Sequence, residues 1–590
     1  MCGIIGYIGL DPASSIIADG LRKLEYRGYD SAGMATIAGG HIHIRRGVGK
    51  VDQVIKVHHL DELPGVIGIG HTRWATHGGV TTANAHPHTD CRHTVAVVHN
   101  GIIQNYQMLR AELDGRHRFA SETDTEVIPH MIEDHLTAGA TLAEAVLLTT
   151  QKLEGSYAIL AISSAEPDKL VAARKDSPLV VGINGNQKFI ASDGICFLNK
   201  CNQVVFVEDN EVVVLNGEKA VFLNAQGQEI HREPVSVNWE WGDVSRQGYD
   251  FFMLKEIQEE PRCIRRALMQ DEYVIRQIAM DILRARNVII TGSGTSRYAS
   301  IIGRYLFSKL AGKLCEVIMS SEFQYFSDAI DRNTLVIAVS QSGETADTVQ
   351  GIRIAREKGA RVLSLVNVVG SSLARSSNDV LYLNCGPEVC VAATKSFIAQ
   401  LSIFYMLSFA MINRLSEGCQ KLEAVSEVLE ASFDSSAKRT VEIANKTKHC
   451  RDFYYIARGI NFATAGEASL KLKEVSYIHA EGMPAGELKH GTLALIQRGT
   501  PVVVICPRDY TSEETLANAA ECQARGALII GVSDENNPLF DEWIQIPRVE
   551  EVFYPLVSIV PLQLLAYHLA ICRGKNPDRP RNLAKSVTVK

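Results

Sequence analysis

A short hydroxyl-rich segment, Ser340–Thr345, offers three hydroxyl groups and one glycine within six residues. The apolar residues 334–339 before it are typical of a strand buried on both faces, and residues 346–358 after it predict a helix. Open α/β sheets bind ligands at the carboxyl ends of their strands, where the free N–H groups of a helix N-terminus favour a phosphate. The segment therefore indicates a phosphate site. An ordinary serine-rich helix cap is the alternative that the loop alone leaves open.

The second residue, Cys2, has the chemistry of a nucleophile. Cysteine is small enough for an initiator methionine before it to be removed, which would expose Cys2 with a free α-amino group. Such an amine, with a pKa near ~8, can accept the thiol proton and later pass it to a leaving group, so one residue supplies both nucleophile and base. The alternative is that Cys2 is a small buried hydrophobic residue, as most cysteines are.

Two further pairs of residues in the N-terminal third suit the binding of an amino acid. Arg73 suits a carboxylate because its planar fork binds two oxygens, and Asp124 suits an ammonium group. Asn100 and Gly101 offer a side-chain amide and a backbone N–H, the two donors that an oxyanion hole requires. Alternatively, Arg73 and Asp124 form a structural ion pair, and Asn100-Gly101 is a hairpin turn. All four residues are predicted to lie on loops at strand ends.

These residues belong to motifs that resemble the class II glutamine amidotransferases. The matching segments are residues 2–6, 25–33, 71–78, 99–101 and 121–126. The resemblance covers roughly residues 2–240 and implies an N-terminal-nucleophile αββα sandwich that hydrolyses glutamine.

The same resemblance implies a role for each matching residue. Cys2 is the expected nucleophile, Asn100 and Gly101 form the oxyanion hole, and Arg73 and Asp124 hold the α-carboxylate and α-amine of glutamine. Trp74 resembles the residue that gates the path of ammonia, with a half-buried structural tryptophan as the alternative. Thr76 and His77 lie in the same motif and are assigned to the glutamine pocket, although a structural role for His77 and for His86 stays open.

In the second half of the chain, residues 467–479 predict a helix that carries reactive groups. Lys471 and Glu474 are three residues apart and therefore lie on one face of it. His490 follows in a polar turn, 486–491. An exposed salt bridge is the alternative interpretation of Lys471 and Glu474.

An internal repeat predicts two doubly wound α/β domains of similar topology. Gly292 and Gly459 each follow a short apolar strand, and Gly359 and Gly526 recur at the same offset of 167 residues. The chemistry is not duplicated, because residues 507–512 do not repeat the hydroxyl loop.

Several segments of this half resemble the sugar isomerase (SIS) domain pair of the glucosamine-6-phosphate synthases. The matching segments are residues 340–345, 391–395, 470–474, 486–491 and 582–589. The resemblance assigns the sugar phosphate to Ser340, Gln341, Ser342 and Thr345, and the lining of the sugar pocket to Thr295, Ser296, Val391 and Ala584.

The resemblance also assigns the proton transfers. Glu474 is the expected base between C1 and C2, Lys471 assists it, and Lys585 contacts the open-chain carbonyl. His490 catalyses ring opening, in that family from the neighbouring subunit. Ser293, where the family commonly has cysteine, and Met483-Pro484, in a stretch of usually small residues, depart from the pattern and put loop shape in doubt.

Length and composition limit the alternatives. A chain of 590 residues is too long for one core, and a net charge of -7 without long single-sign blocks does not recommend nucleic acid or an anionic membrane as a partner. The longest apolar stretch, 553–570, is expected to fall short of a membrane span. Thirteen scattered cysteines without a Cys-x-x-Cys pair predict reduced thiols in the cytoplasm and no zinc site.

The predicted fold class is α/β: an αββα sandwich followed by two doubly wound parallel sheets. The predicted segments are a glutaminase domain (2–240), a linker and helical lead-in (241–284), two SIS domains (285–425 and 426–580) and a tail at the sugar site (581–590).

The expected activity converts glutamine and fructose 6-phosphate into glutamate and glucosamine 6-phosphate in an assembly that is at least a dimer. No metal or organic cofactor is expected, because glutamate and histidine can carry the proton transfers. One rival is a glutaminase joined to another acceptor such as phosphoribosyl pyrophosphate, which would require paired acidic residues after an apolar strand. A second rival is a sugar-phosphate-sensing regulator, which would have no use for Cys2 or Glu474.

Overall fold

The computed structural model describes residues 2–197, 200–236 and 245–587, and the chain divides into two compact units. The first unit comprises Met1–Val244 together with Ala584–Lys590, and the second comprises Ser245–Leu583. The linker predicted around residues 239–243 and the predicted removal of Met1 lie outside the described residues.

The described part of the first unit is built from fifteen strands and five α-helices. The strands are β1 (Gly3–Ile8), β2 (Ser31–Ala38), β3 (His41–Val48), β4 (Ile67–Arg73), β5 (His88–Thr89), β6 (Val95–Ile103), β7 (Gly155–Ser163), β8 (Glu166–Lys175), β9 (Val180–Asn184), β10 (Gln187–Ala191), β11 (Gln203–Phe206), β12 (Val212–Leu215), β13 (Ala220–Leu223), β14 (Glu229–Ile230) and β15 (Val235–Ser236). The helices are α1 (Ala13–Leu24), α2 (Val51–His58), α3 (Tyr106–Leu113), α4 (Val127–Thr137) and α5 (Leu142–Thr150).

These strands form two antiparallel sheets packed face to face. One has the order β15-β11-β9-β10-β1-β4-β2-β3 and the other β14-β13-β12-β8-β7-β6-β5. Side chains alternate between faces along each strand. Ile4 therefore packs between the sheets while Ile5 packs against α1, and Val98 faces the inner core while Val97 faces the helices α4 and α5. The predicted αββα sandwich is confirmed.

The second unit is built from ten described strands and eleven described α-helices. The strands are β16 (Asn287–Gly292), β17 (Glu316–Met319), β18 (Thr334–Ser340), β19 (Arg361–Val366), β20 (Asp379–Tyr382), β21 (Asp452–Ala457), β22 (His479–Pro484), β23 (Pro501–Ile505), β24 (Leu528–Ser533) and β25 (Glu542–Gln545). The helices are α6 (Phe252–Gln258), α7 (Glu260–Ala267), α8 (Glu272–Arg284), α9 (Thr295–Ala311), α10 (Ala346–Glu357), α11 (Ser372–Arg375), α12 (Lys395–Met411), α13 (Leu415–Thr447), α14 (Asn461–Ser476), α15 (Ser512–Gln523) and α16 (Tyr554–Cys572).

The two parallel sheets of this unit have the same topology. Their strand orders are β17-β16-β18-β19-β20 and β22-β21-β23-β24-β25, each a doubly wound arrangement in which the second strand lies outside the first. Gly359 and Gly526 occupy equivalent turns with φ of +84° and +83°. The first pair of the repeat needs a correction, because the conformational counterpart of Gly459 (φ +56°) is Gly294 (φ +54°), and Gly292 ends a strand instead.

Alternate residues of each central strand face different cores. Leu335, Ile337 and Val339 of β18 point into the large core that the two sheets share, whereas Val336 and Ala338 point outward beneath α10. Strands buried on both faces are the pattern from which the parallel sheets were predicted.

The helix α16 lies in the shared core, packed against α13 and α14. Contrary to the expectation from sequence, Glu551–Cys572 is long and apolar enough to cross a membrane by length and composition, because Pro561 stands inside the helix without ending it. Its most apolar stretch is 83% buried inside the fold, as in a core helix of a globular domain.

Helices occupy the segments around the predicted domain boundaries. The lead-in expected at residues 241–284 is helical as α6, α7 and α8, and α8 ends at Arg284 as predicted. The boundary expected between residues 425 and 426 lies within α13, a continuous helix of 33 residues.

Candidate functional site

The thiol of Cys2 lies at the start of β1, beside the end of the neighbouring strand β4. Its Sγ accepts a hydrogen bond from the backbone N–H of Trp74 at 3.3 Å, and the thiol lies 3.5 Å from the Trp74 carbonyl. Burial raises the pKa of the Cys2 thiol, while the Trp74 N–H and the nearby Arg73 guanidinium lower it. The backbone donor and the guanidinium therefore offset part of the rise in the pKa of Cys2 that burial causes.

Asn100 and Gly101 lie inside strand β6, next to Cys2, so the hairpin-turn alternative is wrong. The Asn100 amide donates to the Cys2 carbonyl at 2.9 Å, and its Oδ1 is buried without a hydrogen-bond partner. Gly101 has φ +132°, and a Cβ there would lie 2.0 Å from the Ser156 carbonyl oxygen. The position therefore requires glycine.

The buried Arg73 side chain holds the loop that follows β4. Its guanidinium donates to three successive carbonyls, of His77, Gly78 and Gly79, the last at 3.0 Å. Among the described ion pairs there is none between Arg73 and Asp124, so the structural ion-pair alternative is not supported.

Asp124 is held on the segment that precedes α4, where its Oδ2 accepts from the backbone N–H of Ile103 at 2.8 Å. This segment is tied to the loop after Arg73 through one side chain: the Asn84 amide donates to the Gly79 carbonyl at 3.0 Å and to Glu122 at 3.1 Å. The loop that follows Arg73 and the segment that carries Asp124, the two residues predicted to bind an amino acid, are therefore fastened to each other.

The remaining predicted glutamine-pocket residues follow Arg73 directly. Trp74 is half-buried, with its ring edge-on to Tyr29 at 5.3 Å between centroids. Thr76 is exposed, and the half-buried His77 ring lies 5.4 Å from that of Tyr106.

Four buried histidines pack together near these residues. His71 stacks on His86 at 3.9 Å, and His86 lies edge-on to His88 at 4.6 Å. The fourth ring, His99, is hydrogen-bonded to Thr125 at 2.9 Å. Burial lowers the pKa of all four, so they are neutral packing groups, which agrees with a structural role for His86.

In the second unit, the hydroxyl loop joins β18 to α10 as predicted, with the helix beginning at Ala346. Ser340 Oγ accepts from the Gly343 N–H at 3.0 Å, and Ser342 Oγ accepts from the Glu344 N–H at 3.2 Å. Thr345 stands at the N-cap, but its side chain makes no cap hydrogen bond. The ordinary side-chain cap is therefore wrong here, and the first N–H groups of α10 remain available to a ligand.

The shape of this loop is fixed by the neighbouring turn before α11. Glu344 accepts from both the backbone N–H and the hydroxyl of Ser372 at 2.7 Å. The Gln341 carbonyl accepts from the Asn367 N–H at 3.1 Å. Gly343 has φ +66°, and a Cβ there would lie 2.1 Å from Ser371 Oγ.

Thr295, at the start of α9, connects the hydroxyl-loop half of this unit to the half that carries Glu474, while the neighbouring Ser296 is bound within its own half. The Thr295 hydroxyl donates to the buried carboxylate of Glu467 at 3.0 Å. Ser296 Oγ accepts from the Gln400 amide at 3.0 Å.

Three charged residues line one face of α14. Lys471 lies 2.5 Å from Glu474 and 3.6 Å from Glu467. The Lys471 side chain is 1% exposed and that of Glu474 is 18% exposed, so the interpretation as an exposed surface salt bridge is wrong. Burial raises the pKa of Glu467 to about 8. The ammonium is thus buried between two carboxyl groups, of which only that of Glu474 reaches solvent.

Glu467 is the member of this row that sequence reasoning missed. It stands four residues before Lys471 and seven before Glu474, a spacing that places all three on one helical face. That spacing is the sequence feature that could have identified Glu467.

The other predicted residues are dispersed. His490 is exposed at the end of the turn Ala485–His490, and within the described residues its side chain forms no hydrogen bond or ion pair. Val391 is buried, with its N–H donating to the Asp578 carbonyl at 3.1 Å. Ala584 and Lys585 belong to the C-terminal segment grouped with the first unit.

Two family models match the chain. The glutamine amidotransferase domain model matches residues 71–199, and the SIS domain model matches residues 281–410 and 448–573. The C-terminal domain of glucosamine-fructose-6-phosphate aminotransferase from Francisella tularensis superimposes with a TM-score of 0.54 at 30% identity, over 57% of this chain and 99% of that one.

Curated relatives match over the whole length. The enzymes named glutamine--fructose-6-phosphate aminotransferase [isomerizing] from Pyrococcus horikoshii and Thermococcus kodakarensis are each 46% identical over 100% of both chains. That of Clostridium tetani is 43% identical, again over 100% of both chains. The chain therefore belongs to the family of the isomerizing glutamine–fructose-6-phosphate aminotransferases.

Proposed function

We propose that this protein converts glutamine and fructose 6-phosphate into glutamate and glucosamine 6-phosphate. Ammonia released in the first unit is passed within the protein to C2 of the ketose, and the resulting imine is isomerised to the 2-amino aldose. This reaction is the first step of hexosamine and UDP-N-acetylglucosamine biosynthesis.

In the glutaminase half-reaction, the Cys2 thiolate attacks the side-chain amide carbon of glutamine. Asn100 and the Gly101 N–H stabilise the negative oxygen that develops. Arg73 and Asp124 hold the α-carboxylate and the α-ammonium. The free α-amine of Cys2, which has accepted the thiol proton, passes that proton to the departing ammonia. Water then releases glutamate from the thioester.

In the sugar half-reaction, Ser340, Gln341, Ser342 and Thr345 bind the phosphate at the uncapped start of α10. Thr295, Ser296, Val391 and Ala584 line the sugar. His490 opens the ring, and Lys585 contacts the open-chain carbonyl.

Isomerisation moves one proton between adjacent carbons. After ammonia has replaced the C2 oxygen with loss of water, Glu474 removes a proton from C1, the imine nitrogen takes up a proton, and the electron pair shifts to leave an enaminol. Return of the proton from Glu474 to C2, with loss of the C1 hydroxyl proton, gives the aldehyde at C1 and the amine at C2. Lys471, 2.5 Å from Glu474, holds that carboxylate in position.

The observation that carries the proposal is the pairing of two chemically separate centres in one chain. One unit holds a thiol beside a side-chain amide donor, with 2.9 Å between the Asn100 amide and the Cys2 carbonyl. The other holds a hydroxyl loop at a helix N-terminus and a buried lysine flanked by carboxylates. Neither a phosphoribosyl transferase nor a sugar-phosphate sensor needs both.

The test is an assay that follows both products. Incubation with glutamine and fructose 6-phosphate should yield glutamate and glucosamine 6-phosphate in equal amounts. Phosphoribosyl pyrophosphate in place of the sugar phosphate is the matched control. Amination of that control, or glutamate release without any amino sugar, would refute the proposal.

We also propose that the working form is at least a homodimer and that it acts in the cytoplasm. The exposed His490, without a partner in the described residues, supports a site completed by a second subunit. All thirteen cysteines are free thiols, which suits a reducing compartment.

A further inference from the structure

Four residues from three segments of the chain meet beside α4 in the first unit. Cys91 follows β5, His117 lies in the turn after α3, and His130 and Glu133 stand one helical turn apart on α4. Their ligand atoms all lie within 4.8 Å of one another. The side chains of His117, His130 and Glu133 are 5%, 1% and 10% exposed, so only Cys91 opens to solvent.

The distances between these atoms fit a tetrahedral metal site. Zinc bonds of ~2.3 Å to sulfur and ~2.0 Å to nitrogen or oxygen give tetrahedral edges of about 3.6 Å from sulfur to nitrogen and about 3.3 Å from nitrogen to oxygen. Cys91 Sγ lies 3.6 Å from His117 Nδ1 and 3.7 Å from His130 Nδ1. Glu133 Oε2 lies 3.1 Å and 3.7 Å from the same two nitrogens.

The surroundings orient the four groups toward a shared centre. His117 Nε2 is hydrogen-bonded to Asp134 at 2.9 Å, which leaves the lone pair of Nδ1 directed at the cluster, the arrangement that carboxylates impose on metal-bound histidines. The backbone N–H of Arg118 donates to Cys91 Sγ at 3.3 Å, which holds the sulfur at the cluster.

Hydrogen bonding alone explains only part of this arrangement. A protonated His117 between Glu133 and Asp134 would account for the contacts at 3.1 and 2.9 Å. It would leave His130 with one long hydrogen bond, from Nδ1 to Cys91 Sγ at 3.7 Å, and with none to Glu133 Oε2, which lies 3.7 Å from the same nitrogen, although both distances are close to a tetrahedral edge.

We propose that Cys91, His117, His130 and Glu133 bind one structural Zn²⁺ ion. A thiolate, two imidazoles and a carboxylate are a donor set that zinc prefers, and the two anionic ligands balance its charge. Four protein ligands leave no open position, so the role is structural. The ion fastens the turn after α3 to α4, on either side of the segment that carries Asp124. Sequence analysis missed the site because it has no Cys-x-x-Cys pair, and its ligands come from three separate segments of the chain: the residue after β5, the turn after α3, and α4.

The first test measures bound metal in tag-free protein passed through chelator-treated buffer. Elemental analysis should find about one zinc ion per chain. The Cys91→Ala and His117→Asn variants should lose it, while the matched variants Cys419→Ser and His59→Asn, at residues outside the cluster, should keep it. A zinc-free wild type, or zinc content unchanged in Cys91→Ala and His117→Asn, would overturn the proposal.

The second test remains informative if a variant folds poorly. Wild-type protein stripped of metal and reloaded with Co²⁺ should show the visible bands of tetrahedral cobalt and a thiolate charge-transfer band in the near ultraviolet. Chelation should lower the unfolding temperature of the wild type and leave that of Cys91→Ala unchanged. Cobalt spectra without a thiolate band, or an unfolding temperature that ignores chelation in the wild type, would exclude the site.

Discussion

At the scale of single residues, Cys2 is the one proposed thiol nucleophile, and it belongs to a different unit from the hydroxyl loop. We expect Cys2→Ala to lose glutamine hydrolysis to background while it binds fructose 6-phosphate within about twofold of wild type, since distant sites act independently. Glutaminase assays and sugar-phosphate titration measure the two effects. Retention of Met1 should abolish hydrolysis as well, because it removes the α-amine of Cys2. Near-normal hydrolysis in either protein would disprove the assignment of the nucleophile.

Glu474 tests the proton transfer with the smallest change of shape. Glu474→Gln should bind fructose 6-phosphate normally, because the hydroxyl loop is intact, and form amino sugar about 10²–10⁴-fold more slowly, as expected for a lost general base. The exposed Glu481→Gln is the matched control, with no change expected. Solvent exchange of the C1 proton, followed by NMR with glutamine present, reports the step directly. Exchange at the wild-type rate in Glu474→Gln would make the pair with Lys471 purely structural.

Glu467 gives a dependence of stability on pH. Its pKa is raised by burial from 4.5 to about 8, so between these values the folded protein keeps a proton that the unfolded chain releases. The free energy of unfolding should therefore fall as pH rises from 5 to 8 and level off above it, by a few kcal/mol at about 1.4 kcal/mol per pKa unit. Glu467→Gln should lack this slope and gain stability relative to wild type at pH 8. Urea unfolding of both proteins at pH 5, 6.5 and 8 measures this free energy. If it depends on pH in the same way in wild type and in Glu467→Gln, the pKa of Glu467 is not raised in the folded protein.

At the scale of elements, the connection from β18 through the hydroxyl loop to α10 depends on Gly343. An alanine there would face both a positive φ of +66° and a clash at 2.1 Å with Ser371 Oγ. We expect Gly343→Ala to raise the KM for fructose 6-phosphate about tenfold or more, from a strain of ~1–3 kcal/mol, and to leave glutamine hydrolysis intact.

The matched control is Gly312→Ala at the end of α9, where φ is +62° and no atom lies within 4 Å of the new Cβ. It should cost ~1–2 kcal/mol of stability without changing the KM. Equal KM values in the two variants would show that the Gly343 position has no specific effect on the binding of fructose 6-phosphate.

At the scale of the whole molecule, the exposed His490 predicts active sites shared between subunits. His490→Ala and Glu474→Ala should each be inactive, but mixed subunits should recover up to about a quarter of wild-type synthase activity, because half of the randomly formed dimers hold one intact site. Size-exclusion chromatography with differently labelled subunits confirms exchange. Exchange without recovered activity would place His490 in the same subunit's site or outside it.

The sequence by itself determined the local elements and the reactive residue types. The apolar run 334–339 and the helix at residue 346 were predicted within one residue, because burial on both faces leaves a local record in composition. The repeat predicted two domains of one topology, which is confirmed, although of its two glycine pairs only Gly359 and Gly526 proved equivalent. Helix α14 was predicted to run to residue 479, but it ends at Ser476, where Tyr477 adopts a left-handed conformation that the apolar pattern does not record.

Only the tertiary structure decided which residues meet. Asn100-Gly101 has the composition of a turn, yet it lies within strand β6. It does so because the neighbouring strand β7 pairs with it and the Asn100 amide binds the Cys2 carbonyl. Lys471 resembles a surface lysine until the chain around Thr295, 172 residues from Glu467, closes over the same face. The Cys91 cluster likewise joins residues up to 42 positions apart. Spacing along one element fixes a face, but the burial and partners of that face depend on packing between distant segments, which local pattern does not encode.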